Sequence, residues 1–192
     1  NAKLGGIITK GDWKGMPIYS LTLIERETCP STCYHWDDCY GNHMPFAHRF
    51  KVEGLEKAIP IELAKLSNKY PKGFVIRLHV LGDFYSPEYV KLWQDMLISY
   101  PKMRLYGYSA RKSPDPIYKE LWLLNIRFSE RVKIRFSHSK AYDSLEPFTI
   151  YAGDDKSEFD SITCPEQTGK TESCSTCGLC WGINKSIKFV SH

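Results

Sequence analysis

The feature that most constrains the fold of this sequence is a regular alternation of strand-like and helix-like segments. Segments rich in β-branched and aromatic residues lie at 16–25, 73–84, 103–110, 132–139 and 148–153. Between them, segments with helical periodicity lie at 60–70, 86–101 and 115–125. Strands that alternate with helices usually form a parallel sheet with crossover helices. The sequence therefore predicts an α/β fold, either an open parallel sheet or a partial (β/α) barrel.

The predicted helices have recognisable starts. Ser86 is the predicted N-cap of the second helix and Pro87 its first residue, since both residue types favour those positions. Asp115 is predicted to cap the third helix, and Pro60 to lie in the first turn of the helix at 60–70. The apolar face of the second helix is predicted to consist of Val90, Trp93, Leu97 and Tyr100.

Polar residues recur on one face of the predicted strands. Strict alternation from residue 74 onward places Arg77 and His79 on the same face, opposite the apolar residues of a core. The strand at 132–139 repeats this pattern with Lys133, Arg135 and Ser137. We expect a polar face that holds a ligand, and Arg104 and Arg111 add to the positive charge that would favour an anionic small molecule. The alternative is an exposed antiparallel edge with ordinary surface charge.

All seven cysteines fall into two clusters, at 29–39 and at 164–180. An odd number would leave one thiol outside any disulfide framework. No secretory signal is visible, and clustered thiols in a reducing compartment usually bind metal. The sequence therefore predicts metal binding by Cys29, Cys33, Cys39, Cys164, Cys174, Cys177 and Cys180.

The C-terminal cysteines have the spacing of an iron–sulfur site. Cys174, Cys177 and Cys180 follow a C-x2-C-x2-C pattern, with Cys164 upstream and Gly178 available for a tight turn. Successive x2 spacings are typical of a [4Fe–4S] cluster, and a tetrahedral zinc site is the alternative. From 154 onward the strand and helix pattern ends. We therefore predict an α/β domain over 1–154 and an irregular cysteine-rich lobe over 155–192.

The first cluster, C-x3-C-x5-C, offers only three thiols for a cubane and would leave one iron open. A zinc ion would instead need a fourth ligand from His35, Asp37, Asp38 or His43. The loop follows the first predicted strand, and ligands of parallel sheets bind at the carboxyl ends of the strands. Cys164 could also complete this cluster, which would leave the C-terminal triplet as the open one.

A three-cysteine loop after the first strand, followed by a strand that ends in LGDF (81–84), resembles the radical S-adenosylmethionine (SAM) enzymes. That resemblance implies an open [4Fe–4S] cluster that binds SAM. It also implies a role in SAM binding for Gly82 and Asp83, and an auxiliary cluster at the C-terminus. Arg77 and His79, with Asp83, would then be catalytic residues, and Ser137 would contact the cofactor. The last cysteine gap is longer here than in that superfamily, and its G-G-E turn is reduced to Gly82-Asp83.

Almost the whole chain resembles a second family. RLHVLGDFYSPEYVKLW and the CPEQ…C…CGLCW ending are similar to the phage and prophage family called gene product 88. This resemblance implies a viral or prophage origin and metal binding, and it implies no particular reaction.

Charge and hydropathy exclude some functions. The net charge of +4 has no clear basic stripe, so nucleic acid is a possible partner that the charge does not argue for. No apolar run is long enough to span a membrane, and we expect a cytoplasmic protein, in the host cell if it is phage-encoded. Three functions stay open: a radical-SAM-like enzyme, a non-catalytic iron–sulfur redox or sensor protein, and a phage nucleic-acid-processing accessory with structural clusters.

Overall fold

The computed structural model describes residues 2–138, 150–152 and 161–189, and its core is a parallel sheet with helices. The strands in this part of the chain are β1 (Ile18–Leu21), β2 (Phe74–Leu78), β3 (Met103–Ser109), β4 (Val132–His138), β5 (Ile150–Ala152), β6 (Ser161–Thr163) and β7 (Ser186–Phe189). Their order across the sheet is β1-β2-β3-β4-β5-β7-β6, and every neighbouring pair is parallel. The predicted α/β class with a parallel sheet is confirmed. The described strands form an open sheet with β1 and β6 at its edges, and a barrel is not confirmed.

The helices connect these strands, and the two short C-terminal helices contain cysteines. They are α1 (Glu25–Thr28), α2 (Leu55–Lys69), α3 (Pro87–Ser99), α4 (Pro116–Arg127), α5 (Cys174–Cys177) and α6 (Leu179–Gly182). The long helices α2, α3 and α4 are the crossovers between β1 and β4, as the alternation predicted. No described helix has both the length and the apolar composition that crossing a bilayer requires.

Both predicted N-caps are confirmed. The Ser86 hydroxyl accepts a hydrogen bond from the Tyr89 amide (3.1 Å), and the Asp115 carboxylate accepts one from the Ile117 amide (2.8 Å). The helix predicted at 60–70 begins earlier than predicted. It corresponds to α2, which starts at Leu55 and contains Pro60 in its interior. Its start follows Gly54, whose φ of 74° is left-handed and suits glycine.

The alternation predicted for the second strand fails beyond Leu78, because β2 ends there. The His79 ring packs against Phe84 and Tyr89, with centroids 4.8 and 5.8 Å away, and both of these residues belong to the core beneath the helices. Val80 packs on the opposite side of the sheet. Placing His79 on the same face as Arg77 was therefore wrong, since side chains alternate only while the backbone stays extended.

The sheet has two covered faces. On one face, α2, α3 and α4 pack together against alternate residues of β2, β3 and β4 and form the larger core. We call the face opposite these three helices the inner face. There, Val75 and Tyr106 are buried with Trp13 and Trp181, which come from the two ends of the chain. The inner face predicted to hold a ligand is therefore largely occupied by the protein's own N-terminal and C-terminal segments.

The C-terminal segment is less irregular than predicted. β7 pairs with both β5 and β6, so residues from the predicted lobe complete the same sheet as the α/β part. Short strands with few apolar residues carry little sequence signal, which explains why β6 and β7 were missed. Whether 155–192 is an independent unit stays a prediction.

Candidate functional site

The loop after β1 brings the first three cysteines to the carboxyl ends of the parallel strands. The Cys29 thiol lies within electrostatic range of Cys33, Cys39 and Asp83. Burial and the Asp83 carboxylate raise the pKa of both Cys29 and Cys33. These thiols therefore stay protonated unless a cation stabilises the thiolates, as metal binding does.

Arg49 organises this loop. Its guanidinium forms a two-pronged ion pair with the buried Glu25 carboxylate, with N–O distances of 2.8 and 3.0 Å. The same side chain donates to the carbonyl oxygens of Gly41, Met44 and Ala47. Near the last cysteine, the Gly41 amide donates to Cys39 Sγ over 3.4 Å. A loop with little regular structure is thus fixed by one arginine at its far end.

Asp83 lies at the same edge of the sheet, and both oxygens of its carboxylate accept hydrogen bonds from the backbone. Its carboxylate oxygens accept hydrogen bonds from the Phe84 and Ala110 amides, both at 2.7 Å. Burial raises the pKa of Asp83 to about 6, although these hydrogen bonds, one from Ser109, and the nearby Arg111 charge act in the opposite direction. Asp83 therefore ties the loop after β2 to the end of β3.

Gly82 provides space for the cysteine loop. Its φ is 81°, and a Cβ atom there would lie 2.6 Å from Leu23 Cβ and 2.7 Å from the Thr28 hydroxyl. The Thr28 hydroxyl accepts the Asp83 amide proton over 3.1 Å. Glycine at this position lets the residue before Cys29 pack directly on the LGDF turn.

Arg111 joins the three loops at this edge. It donates to the carbonyl oxygens of Phe84 (3.0 Å) and Thr28 (2.8 Å), and it pairs with the Asp115 carboxylate (3.1 Å). The backbone just before Cys29 is therefore fixed to the loops that follow β2 and β3. This arrangement makes Arg111 a structural residue of the site rather than a free anion-binding group.

The remaining predicted catalytic and cofactor residues do not converge on this edge. Arg77 lies on the inner face, stacked over Tyr108. The buried His79 ring lies on the helix side, and its Nε2 is 3.0 Å from the Tyr89 hydroxyl. Ser137 lies at the register position opposite Ile150 in β5. Of the predicted set, Gly82 and Asp83 are the ones beside the first cysteines.

The C-terminal cysteines lie against the inner face of the sheet. Cys164, Cys174 and Cys180 are buried there with Trp13 and Trp181, whose rings stack at 5.5 Å. Cys180 Sγ accepts a hydrogen bond from the Tyr108 hydroxyl (2.7 Å). Burial, reinforced by Cys180, raises the pKa of Cys174 to about 12.

Local geometry brings two of these cysteines close in space. Cys174 and Cys177 begin and end the single turn of α5, where positions three apart share a face. The turn is closed by Gly178 with φ 75°, so the tight turn predicted there is confirmed. Ser173 and Thr176 form a reciprocal capping box at its start.

The donor set fits a thiolate metal site by chemistry, although its side chains do not converge. All seven cysteines are free thiols, and the members of each cluster lie within electrostatic range of one another, apart from Cys177. Within the described residues, however, no three His, Cys, Asp or Glu side chains are grouped closely enough to hold an ion. Among the candidate fourth ligands, His35 pairs with Asp38 (3.1 Å) at the surface. Metal binding would require the thiols of each cluster to turn toward one another.

Comparison with known proteins identifies the family. The family description "Gene product 88" matches residues 8–183. The chain belongs to this family. A gene product 88 relative, the "Gene 88 protein" of Mycobacterium phage D29, is 30% identical over 137 residues, covering 63% of this chain and 55% of the relative. The "Gene 88 protein" of Mycobacterium phage L5 is 29% identical over 136 residues with the same coverage.

The phage family predicted from the sequence is therefore confirmed. This chain spans about half the length of the curated gene product 88 relatives that it matches. No solved structure matches it, so the resemblance to radical SAM enzymes is not supported by a structural neighbour.

Two residues of the site were missed from the sequence. Arg49 carried no local signal, because its partners are a distant acid and backbone carbonyl groups. Tyr108 was read as an ordinary strand residue, since only the tertiary structure brings Cys180 to its hydroxyl.

Proposed function

We propose that this gene product 88 protein is an iron–sulfur enzyme of the radical-SAM type. The observation that carries the proposal is the position of Cys29 and Cys33 at the carboxyl ends of parallel strands, within electrostatic range of Asp83 and of Cys39 in the same loop. In parallel α/β sheets this edge is where ligands bind. The sequential order β1-β2-β3-β4, with three helices on one face, is compatible with the same proposal.

In this proposal the three thiolates of the first loop hold a [4Fe–4S] cluster, which would supply an open iron for the amino acid end of SAM. The chain's own residues then have positioning roles. Arg111 fixes the backbone before Cys29, and Arg49 fixes the backbone after Cys39. Gly82 allows Thr28 to contact the LGDF turn. The C-terminal cysteines form a second, buried centre.

The state of Asp83 favours one competing function. Both of its carboxylate oxygens already accept backbone hydrogen bonds, and the space at Gly82 is filled by Leu23 and Thr28. A turn committed in this way has little capacity left for a cofactor amino group. The second candidate is therefore a non-catalytic iron–sulfur protein for electron transfer or sensing, in which these contacts only support the cysteine loop.

The first experiment is preparation without oxygen, followed by quantification of iron and acid-labile sulfide. We expect a brown protein with iron and sulfide in near-equal amounts. Cys33→Ala and Cys177→Ala should each remove part of both, because they disable different centres. A colourless protein that contains zinc after an anaerobic, iron-replete preparation would refute both candidates.

The second experiment separates the two candidates. SAM is added to the dithionite-reduced protein, the electron paramagnetic resonance spectrum is recorded, and 5′-deoxyadenosine is assayed. If the protein is a radical-SAM-type enzyme, SAM should change the spectrum of the unmodified protein and of Cys177→Ala, but not that of Cys33→Ala. A spectrum indifferent to SAM, with no cleavage product, supports the electron-transfer or sensor function instead.

A further inference from the structure

Two arginines of the inner face lie over the C-terminal cysteine segment. Arg135, from β4, is completely buried, and its guanidinium donates to backbone carbonyl groups between residues 179 and 185. The acceptors are the oxygens of Cys180 (2.8 Å), Lys185 (2.9 Å), Leu179 (3.4 Å) and Ile183 (2.6 Å). These bonds engage all three guanidinium nitrogens of Arg135, but they do not neutralise its charge.

Arg77, from β2, is less well satisfied. Its Nε atom is buried and has no hydrogen-bond acceptor among the described residues. The guanidinium lies over the rings of Tyr108 (5.1 Å) and Tyr106 (5.9 Å). Tyr108 in turn donates its hydroxyl proton to Cys180 Sγ. A short path of contacts therefore connects the Arg77 charge to a cysteine sulfur.

No acid compensates these two charges in the part of the chain that the structure describes. Neither guanidinium has a carboxylate within ion-pair distance there. Glu166 is close to the cysteines but pairs with Lys3 (2.9 Å). A third cation, Lys188 of β7, does not add to the charge of this face. It follows Ile187, which packs on the inner face, so strand alternation places Lys188 on the opposite face. A buried cation without an anion costs several kcal/mol. Arg135 is fully buried and Arg77 is partly buried, and within the described residues no carboxylate compensates either charge.

Thiolates would supply that charge. Arg77 lies within electrostatic range of Cys174 and Cys180, and Arg135 within range of Cys180. Four thiolates around a doubly charged metal core carry two net negative charges, whether the core is Zn²⁺ or an oxidised cubane. Two guanidinium groups balance them. Four neutral thiols would leave the same two cations without a negative partner among the described residues.

We propose that Arg77 and Arg135 are the built-in counter-charges of a four-thiolate centre made by Cys164, Cys174, Cys177 and Cys180. The inference rests on the proposed metal function, but it is independent of which metal is bound. It makes Arg77 a positioning and charge-balancing residue of the C-terminal centre, and not the catalytic residue expected from the sequence.

The test measures zinc affinity in the full chain. Cys33→Ala and Cys39→Ala are introduced together as the parent, so that the first loop retains a single thiol. Zn²⁺ is titrated in competition with a chromogenic chelator. Arg77→Met removes the charge while keeping most of the volume, and we expect a loss of about 10–100-fold in affinity, as for other residues that support metal ligands. Arg77→Lys should recover most of that loss.

The matched control is Arg104→Met. Arg104 also has a buried Nε atom without an acceptor, but its guanidinium bonds to the Pro101 and Met103 carbonyls at the opposite end of β3. It should retain the parent's affinity. If Arg77→Met binds zinc as tightly as Arg104→Met, the proposal is overturned while the proposed function stands. If Arg77→Met does not fold, Arg77→Lys decides, and a loss of about tenfold or more in that variant overturns the proposal.

Two further outcomes separate this inference from the proposed function. A chain that holds zinc in an Arg77-dependent manner but never assembles iron and sulfide supports the inference and refutes the iron–sulfur function. If inorganic sulfate stabilises the metal-free parent and Arg77→Met abolishes that effect, Arg77 serves a separate anion and the inference is overturned.

Discussion

His79 should make the protein sensitive to mild acid. Its ring is buried, and burial together with the neighbouring Arg77 charge lowers its pKa to about 3. A histidine in the unfolded chain has a pKa near 6.5, so between pH 6.5 and pH 3 the unfolded chain binds a proton at His79 and the folded chain does not. Stability from this residue is therefore present above pH 6.5 and is lost as the pH falls toward 3.

The size of the effect follows from the two pKa values. Each unit of difference corresponds to about 1.4 kcal/mol, so His79 costs about 2 kcal/mol between pH 7 and pH 5 and about 4 kcal/mol by pH 3. Asp83 acts in the opposite direction. Its pKa is raised to about 6, so it contributes stability at low pH that is lost as the pH rises through 6. Between pH 7 and pH 5 it recovers about 1 kcal/mol.

Because the two groups oppose each other, the parent alone is uninformative and a matched variant is needed. Glutamine does not titrate, so the pH dependence of unfolding in His79→Gln keeps the Asp83 contribution and loses that of His79. In the unmodified protein, which is the parent here, both contributions are present. Urea unfolding at pH 7 and pH 5, in the same metal state, should show a pH effect that differs by about 2 kcal/mol between parent and His79→Gln. The exposed His48 provides the control His48→Gln. Equal pH effects in the parent and His79→Gln would refute the reasoning.

Three other changes test the structure. Arg49→Met leaves the mostly buried Glu25 carboxylate unpaired, so urea unfolding should show a loss of about 1–3 kcal/mol and proteases should cut within 25–49; an unchanged cleavage pattern would contradict the role given to Arg49. Gly107→Ala should cost about 1–3 kcal/mol or more in urea unfolding, because a Cβ atom there would overlap the Leu78 carbonyl, whereas Gly6→Ala has open space and should be tolerated. Cys177→Ala should lower the soluble fraction more than Cys33→Ala, since the C-terminal segment has few apolar residues of its own; equal small losses would argue against a metal there.

Features set by neighbouring residues could be predicted from the sequence. Ser86 and Asp115 cap their helices as expected, because an N-cap depends on a backbone amide two or three residues away. The buried face of α3, with Val90, Trp93 and Leu97, follows equally from local periodicity. The parallel sheet followed from the order of these elements.

Features set by distant contacts could not be predicted. Arg135 looked like a ligand-binding cation, but its partners are carbonyl oxygens more than forty residues away, and backbone acceptors leave no trace in sequence. His79 was placed on the wrong face because nothing in the sequence shows that β2 ends at Leu78. At the candidate site, the proximity of the first cysteines to Asp83 followed from the strand order, while the support from Arg49 and Arg111 did not.

The pairing of β7 has a consequence for the order of biosynthesis. Among the described strands, β6 pairs with β7 alone, and β7 is translated about twenty residues later and pairs with β5 on its other side. An emerging chain therefore cannot seat β6 until β7 has left the ribosome. Cys164, Cys174, Cys177 and Cys180 all lie in the connection between the two strands. An ion that binds these thiols shortens the effective loop between β6 and β7. The entropic cost of closing the loop is then smaller, which helps the nascent chain to complete its sheet.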